Sequence, residues 1–252
     1  MAVDQWLLHR CEDGHEMPVL RLYGWDRPTI TIGRHQDLES DRIDVDACRG
    51  LGVSVVRRPT GGRAVYHGNG LTYAVVAPIP RGAATVVASY RWVAAALVHG
   101  LEEIGLPVTE LGRQRGMAAG TLSVACYAAP STGEVALAGR KWIGSAQRRL
   151  RRAFLQHGAI PLADDVAALA ECLRFASAAD RREWAAALAR RTAAVAEGLA
   201  GVTRAELIAA IQHGFERRHA VSPWHALDTG DPSVADAVAA YRADPYWTPV
   251  AM

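Results

Sequence analysis

Between Val53 and Val76, two runs rich in β-branched residues flank the paired glycine of Arg57-Arg58-Pro59-Thr60-Gly61-Gly62-Arg63-Ala64-Val65-Tyr66-His67. A Gly68-Asn69-Gly70 turn then leads into Leu71-Thr72-Tyr73-Ala74-Val75-Val76. Such an order demands a strand, a tight loop and returning strands. Gly61 and Gly62 have no Cβ, so the backbone there can take positive φ and approach a ligand closely. Arg57, Arg58 and Arg63 offer planar, permanently charged donors suited to a phosphate or a carboxylate. A Gly-Gly hairpin beside arginines is also an ordinary turn, and both readings stand on these residues.

The surrounding layout is legible. Residues 2–10 predict a short helix; Val19–Tyr23 and Thr29–Ile32 predict strands, broken by Gly24-Trp25-Asp26-Arg27-Pro28. Asp41–Arg49 predicts a second helix, and Val53–Arg58 a strand entering the glycine loop. From Thr85 to Ile104, Val86, Tyr90, Val93, Leu97, Leu101 and Ile104 recur at helical spacing, and Gly105 stops the helix. Thr109–Gly133 reads as a long loop. Glu134–Leu162 reads as a strand meander turning near Gly139 and again near 150–152. Beyond Ala163 the chain is alanine-rich and helical, with Thr203-Arg204-Ala205-Glu206 fitting a capping box. Meanders separated by helices predict an α+β fold, a mixed or antiparallel sheet flanked by helices. The expected organisation is one catalytic domain over 1–252, its helical C-terminal part running from about 163 to 252.

Composition narrows the function classes. A chain of 252 residues, half apolar and 21% charged, suits a soluble globular protein. A net charge of +2 gives no footing for nucleic acid. No apolar run reaches the roughly 20 residues of a membrane helix, and the start lacks a secretion signal, so a cytoplasmic protein is expected. Cys11, Cys48, Cys126 and Cys172 form no C-x-x-C pair, which argues against a disulfide framework or a structural zinc site. No metal site is expected.

Four features carry possible chemistry. Cys126, in Ser123-Val124-Ala125-Cys126-Tyr127, lies in the long loop, where a thiol's reactivity outweighs its packing; the alternative is a half-buried thiol without a role. Cys11, Cys48 and Cys172 fall on predicted helices and read as packing residues. In Gly139-Arg140-Lys141-Trp142-Ile143-Gly144-Ser145-Ala146-Gln147-Arg148-Arg149, strand alternation projects Lys141, Ile143, Ser145 and Gln147 to one face. Lys141 then reads either as a buried cation aimed at a carbonyl or thiolate, or as a snorkelling edge-strand lysine. Arg148, Arg149, Arg151 and Arg152 form a basic run, either a solvated turn or a dock for an acidic carrier protein. His157, in Gln156-His157-Gly158, is open between a structural and a site role.

Taken together, the Arg57–His67 segment, the Ala125-Cys126-Tyr127 loop and the Gly139–Arg149 strand with Gln156-His157-Gly158 resemble the lipoate ligase, biotin ligase and octanoyltransferase superfamily. The branch they are most similar to is the cysteine-dependent octanoyltransferases acting on acyl carrier protein. The resemblance implies a fold related to class II aminoacyl-tRNA synthetase cores and biotin ligases. It implies Cys126 as the acyl-accepting thiol and Lys141 beside the acyl carbonyl as catalytic residues. Acyl or substrate binding is implied for Arg57, Arg58, Gly61, Gly62, His67, Thr72, Tyr73, Gly144, Ser145, Ala146, His157 and Gly158. The implied partners are octanoyl-acyl carrier protein and a lipoyl-domain acceptor such as the glycine cleavage H protein or a 2-oxoacid dehydrogenase E2. A monomer is expected, with neither nucleic acid nor membrane as partner, and no cofactor. The alternatives are an ATP-dependent lipoate–protein ligase, with MgATP as its cofactor, and a non-catalytic acyl- or carrier-binding relative. Arg63 stands where ligases more often show a third glycine, and ligases lack the loop cysteine, which favours the transferase. Family members carry a further strand before the Met-Ala-x-Asp segment, so the resemblance implies a start assigned elsewhere or a sheet short of one edge strand.

Overall fold

The computed structural model describes residues 1–15, 18–79, 85–111, 134–193, 201–220, 224 and 230–249. Nine strands and seven helices are defined among them. They run in the order α1 (Ala2–Asp13), β1 (Val19–Tyr23), β2 (Thr29–Ile32), α2 (Val45–Gly50), β3 (Ser54–Arg57), β4 (Val65–His67), β5 (Gly70–Pro78) and α3 (Val86–Glu103). The rest are β6 (Val108–Leu111), β7 (Glu134–Leu137), β8 (Arg140–Arg149), β9 (Ala153–Pro161), α4 (Val166–Glu171), α5 (Ala178–Ala189), α6 (Arg204–His219) and α7 (Pro232–Ala243).

Six strands form one sheet, ordered β1-β5-β9-β8-β7-β6, and every pairing in it is antiparallel. A three-stranded sheet, β3-β2-β4, joins a parallel pair to an antiparallel one. The mixed sheet flanked by helices matches the fold class read from the sequence. Leu71, Tyr73 and Val75 of β5 face Val93, Leu97 and Leu101 of α3 and Leu207, Ile211 and Phe215 of α6. On the opposite face, Ala74, Val76 and Leu155 pack under Leu7, Leu8 and Cys11 of α1. The small sheet has its own core, in which Ile30, Ile32 and Val55 meet Leu169, Trp184 and Leu188.

Local chemistry explains the helix ends. The Thr85 hydroxyl accepts from the Ala88 amide at 3.1 Å and starts α3, and Gly105, at φ +83°, turns the chain out of it. Thr203 and Glu206 form the expected capping box of α6. Two expectations are corrected. The second helix begins at Val45 and not at Asp41: the Asp44 carboxylate caps the Ala47 amide, and Arg42 sits at φ +59°, which a helix excludes. Residues 109–111, expected as loop, belong to β6 because they pair with 134–136 of β7; residues 112–133 lie outside the described residues.

Candidate active site

The site lies where α1 covers the large sheet and the glycine loop meets it. A crevice there encloses about 300 Å³ of empty space, part of it open to solvent. Thr31, Arg58, His67, Gly144, Ala146 and His157 are among its walls. Ala146 of β8 and Ala74 of β5 both register with His157 of β9, so these positions share the α1 face. His67 closes the small sheet at the same place, opposite Thr29 of β2.

Lys141 reaches this face through an irregularity. Val135 is paired with Ile143, but the next residue, Ala136, is paired with Lys141, which leaves Trp142 without a partner across the ladder. An extra residue reverses the alternation of the side chains beyond it. The expectation that Lys141, Ile143, Ser145 and Gln147 project together is therefore overturned. Ile143 and Trp142 enter the core beneath α3 and α6, and Lys141 joins Glu134 and Ala136 on the α1 face. The Lys141 Nζ lies 2.7 Å from Glu134 Oε1, and both side chains are almost wholly buried. That rules out an exposed, snorkelling lysine.

Tyr73 and Ser145 lie on the other face of the sheet, toward α3 and α6: their hydroxyls are 2.6 Å apart, and Gln156 Nε2 donates to the Tyr73 oxygen at 3.2 Å. Burial pushes the Tyr73 hydroxyl up to about 12. Gly158 lets this pair meet, since a Cβ there would collide with the Tyr73 ring and the Gly144 carbonyl.

The arginines hold the frame. Arg57 donates to the carbonyls of Gly33, Gln36 and Tyr246. Arg58 donates to Thr31 O at 3.0 Å, Gly61 O at 2.8 Å and Arg63 O at 2.7 Å. Gly62 sits at φ +90°, and a Cβ on it would press against the Arg58 guanidinium. These donors, which the sequence suggested for an anionic ligand, are committed to backbone carbonyls that shape the loop.

A buried polar chain crosses the crevice. His157 Nε2 lies 2.6 Å from Thr60 Oγ1, and its Nδ1 lies 3.5 Å from Asp4 Oδ2. The Asp4 carboxylate also accepts from Arg21 and from the Tyr23 hydroxyl. A carboxylate only accepts, so the ring carries its proton on Nδ1, and Nε2 accepts from the Thr60 hydroxyl. Burial opposes the Asp4 charge, the His157 hydrogen bond and Arg21 favour it, and the carboxyl is held well below its ordinary range. Burial keeps the His157 ring below its usual value, although Asp4 pulls the other way. Burial and then Arg58 push His67 further down. His67 Nε2 lies 2.9 Å from Thr31 Oγ1, and its ring stacks on Trp25 at 4.5 Å. Trp25 Nε1 in turn donates to the Thr72 hydroxyl at 3.0 Å.

Cys126 lies outside the described residues. Cys11, Cys48 and Cys172 are buried, as expected of packing residues. Arg151 and Arg152 are exposed in the β8–β9 turn. Among the described residues, no group of three or more His, Cys, Asp or Glu side chains is placed to hold a metal ion, and no helix is long and apolar enough to cross a membrane. Sequence reasoning missed Asp4, Thr60 and Glu134. A signal for Asp4 was present: it falls on the helical stripe Asp4, Leu7, Leu8, Cys11, an acid on an otherwise apolar face. Thr60 carries no mark that separates it from other turn threonines, and Glu134 reveals itself only once the strand irregularity is seen.

Residues 1–216 match the family described as lipoyl protein ligase A/B catalytic domain. The chain is 39% identical over 224 residues to the octanoyltransferase LipM of Carboxydothermus hydrogenoformans, covering 86% of this chain and 81% of that protein. It is 37% identical over 230 residues to the LipM of Moorella thermoacetica, with 88% and 82% covered. Among solved structures, the bipartite lipoate protein ligase of Thermoplasma acidophilum aligns with a TM-score of 0.76 at 21% identity, covering 97% of this chain and 91% of that one. A lipoate-protein ligase A bound with ATP aligns with a TM-score of 0.75 at the same identity and coverage. At that identity the structural likeness shows a shared fold.

Proposed function

The chain belongs to the lipoyl protein ligase A/B catalytic-domain family, and from that premise we propose that it is an octanoyltransferase of lipoate biosynthesis. It moves an octanoyl group from acyl carrier protein to a lysine of a lipoyl-domain protein through a thioester on Cys126. The observation that carries this reading is identity of 37–39% to octanoyltransferases over most of the chain. The crevice and the buried Lys141 on the same sheet face agree with it.

Octanoyl on a phosphopantetheine arm is already a thioester, so its transfer to Cys126 exchanges one C–S bond for another and needs no ATP. The nucleophile is the thiolate, and a free thiol with a pKa near ~8.5 is ionised to only a few per cent at pH 7. An ammonium group nearby favours the thiolate and steadies oxyanion charge at the carbonyl. Lys141 supplies that ammonium, with Glu134 accepting one of its three donors. Burying about seven methylenes at ~0.8 kcal/mol each gives roughly 5–6 kcal/mol before ordering costs, enough to hold the chain while carriers exchange. The ε-amine of the acceptor lysine then attacks the thioester, leaving an amide and the free thiol.

The test is intact-mass analysis after mixing the protein with octanoyl-acyl carrier protein without ATP. A hydroxylamine-labile octanoyl adduct, absent from Cys126→Ser, is expected. MgATP-dependent adenylate formation that survives Cys126→Ser would replace this reading with a lipoate–protein ligase.

A further inference from the structure

We infer that Arg34 and Arg148 form an anion site beside the crevice, and that its occupant is the phosphodiester of the phosphopantetheine arm on the acyl donor. The inference rests on the octanoyltransferase reading above and adds to it the groups that recognise the donor.

The arginines around the glycine loop divide into two sets. Arg57 and Arg58 commit their donors to backbone carbonyls, and Arg63 meets the Asp41 carboxylate at 3.2 Å. Arg34 and Arg148 differ: among the described residues, neither guanidinium donates to a carboxylate or a carbonyl. Arg34 has the Trp247 ring 6.0 Å away. The backbone brings the two cations to one place. The Arg34 amide donates to the Thr60 carbonyl at 2.8 Å, and its own carbonyl accepts from the Tyr246 hydroxyl at 3.0 Å. Gly33 lies so close to Gly62 that a Cβ on it would fall on the Gly62 carbonyl, and a Cβ on Gly62 would sit 3.8 Å from the Ala146 methyl. The Gly33-Arg34 segment, the glycine loop and β8 are therefore packed one against the next. Ala146 is a crevice wall, and Arg148 is the next β8 residue on that face, about 7 Å further along the strand. Both arginines are half-buried. Burial and then the Arg34 charge hold the Arg148 guanidinium below its ordinary value, so the two cations repel each other.

An anion between them removes that repulsion, and each guanidinium offers a planar fork of N–H donors matched to phosphate oxygens. The donor of the proposed reaction carries one such group, the phosphodiester that joins the carrier protein to its arm. Half-burial suits a group at the base of a slender arm better than the broad acidic surface of a folded carrier, which exposed cations would meet. With the phosphodiester held here, the arm is directed along β8 toward the crevice that Ala146 lines.

The experiment uses two small donors that differ only in the phosphate, octanoyl-phosphopantetheine and octanoyl-pantetheine. They are given to wild type, Arg148→Gln, Arg148→Lys and the double variant Arg34→Gln, Arg148→Gln. The initial rate of adduct formation is read by intact mass, and the ratio of the two rates is the readout, in which any loss of folded protein or of thiol reactivity cancels. Wild type is expected to favour the phosphorylated donor by roughly 10- to 100-fold, the worth of one or two charge-assisted hydrogen bonds. Arg148→Gln is expected to lower the ratio about tenfold and the double variant to bring it near one. Arg148→Lys, which keeps the charge without the fork, falls between wild type and Arg148→Gln. Inorganic phosphate is expected to slow wild-type capture from the phosphorylated donor and not from octanoyl-pantetheine. A wild-type ratio near one, or a ratio unchanged in the double variant, overturns the site; if the double variant does not fold, Arg148→Gln decides. MgATP binding that is lost in the double variant while the ratio is kept also overturns it, since the pair then serves a nucleotide. Absence of a wild-type adduct from either small donor and from octanoyl-acyl carrier protein defeats the acyl-enzyme reading itself. The thermal midpoint then decides the site: phosphopantetheine is expected to raise it above the value with pantetheine in wild type only, and equal values overturn the inference.

Discussion

The Lys141–Glu134 pair shows how much one buried contact can be asked to do. Two opposite charges, each almost wholly removed from water, face each other at 2.7 Å and offset part of each other's desolvation. Removing one partner leaves a buried charge, so Glu134→Gln is expected to cost about 3–5 kcal/mol in urea unfolding. Replacing both partners by apolar groups of similar size removes the penalty along with the attraction. The double variant Glu134→Leu, Lys141→Met is therefore expected to recover most of that stability. If Lys141 serves the chemistry, the double variant stays folded yet captures no octanoyl from the carrier. Capture at the wild-type rate would remove Lys141 from the mechanism while leaving its structural role intact.

Between elements, backbone proximity sets the tolerances. Helices α3 and α6 cross at Gly100 and Gly214: a Cβ on Gly100 would fall on the Ala210 carbonyl, and one on Gly214 on the Ala96 carbonyl. The obstructing atoms are backbone and cannot rotate away, so Gly100→Ala is expected to destabilise by about 1–3 kcal/mol in thermal unfolding. Wild-type stability in that variant would mean that the helices slide without cost. Neither glycine was marked by the sequence, since an isolated glycine in a helix signals a contact without naming its partner. What was legible had a local cause. The helical periodicity of α3 came with its Gly105 stop, and β1 and β2 came with the residues that bound them. The glycine loop and the strand carrying His157 and Gly158 were legible as places of close approach, because glycines with polar neighbours mark them. The β7–β8 irregularity was not: no glycine or proline sits at Val135, Ala136 or Trp142, and the shift follows from fitting Trp142 under α3 and α6 while its Nε1 reaches the Pro161 carbonyl. Strict alternation accordingly assigned Lys141 to the wrong face.

For the whole molecule, the two sheets and the C-terminal segment are tied at the site, and the tie is sensitive to protons. Arg57, leaving β3, receives the chain end: its amide donates to the Trp247 carbonyl at 2.7 Å, and the Tyr241 hydroxyl donates to its carbonyl. His67 ends a strand of the small sheet and His157 lies inside the large one, each buried as a neutral ring. Both bind protons less readily in the folded protein than at the ordinary histidine value of 6.5. Below that value the unfolded chain takes up protons that the folded protein refuses, so stability falls as pH drops through about 6.5 and continues to fall until the folded rings titrate. Asp4 behaves in the opposite sense. Its carboxyl, held below the ordinary 3.8, adds stability above that value, and this contribution is lost as pH falls further. Urea midpoints measured from about pH 7.5 to about pH 3 should therefore decline in two stages, the first from the histidines and the second from Asp4 with other paired carboxylates. His67→Gln keeps a polar partner for the Thr31 hydroxyl but cannot take a charge, so it should make the first stage shallower, leaving the share of His157, and leave the second unchanged. A midpoint that stays level from about pH 7.5 to about pH 5 would mean that neither ring is held neutral by the fold.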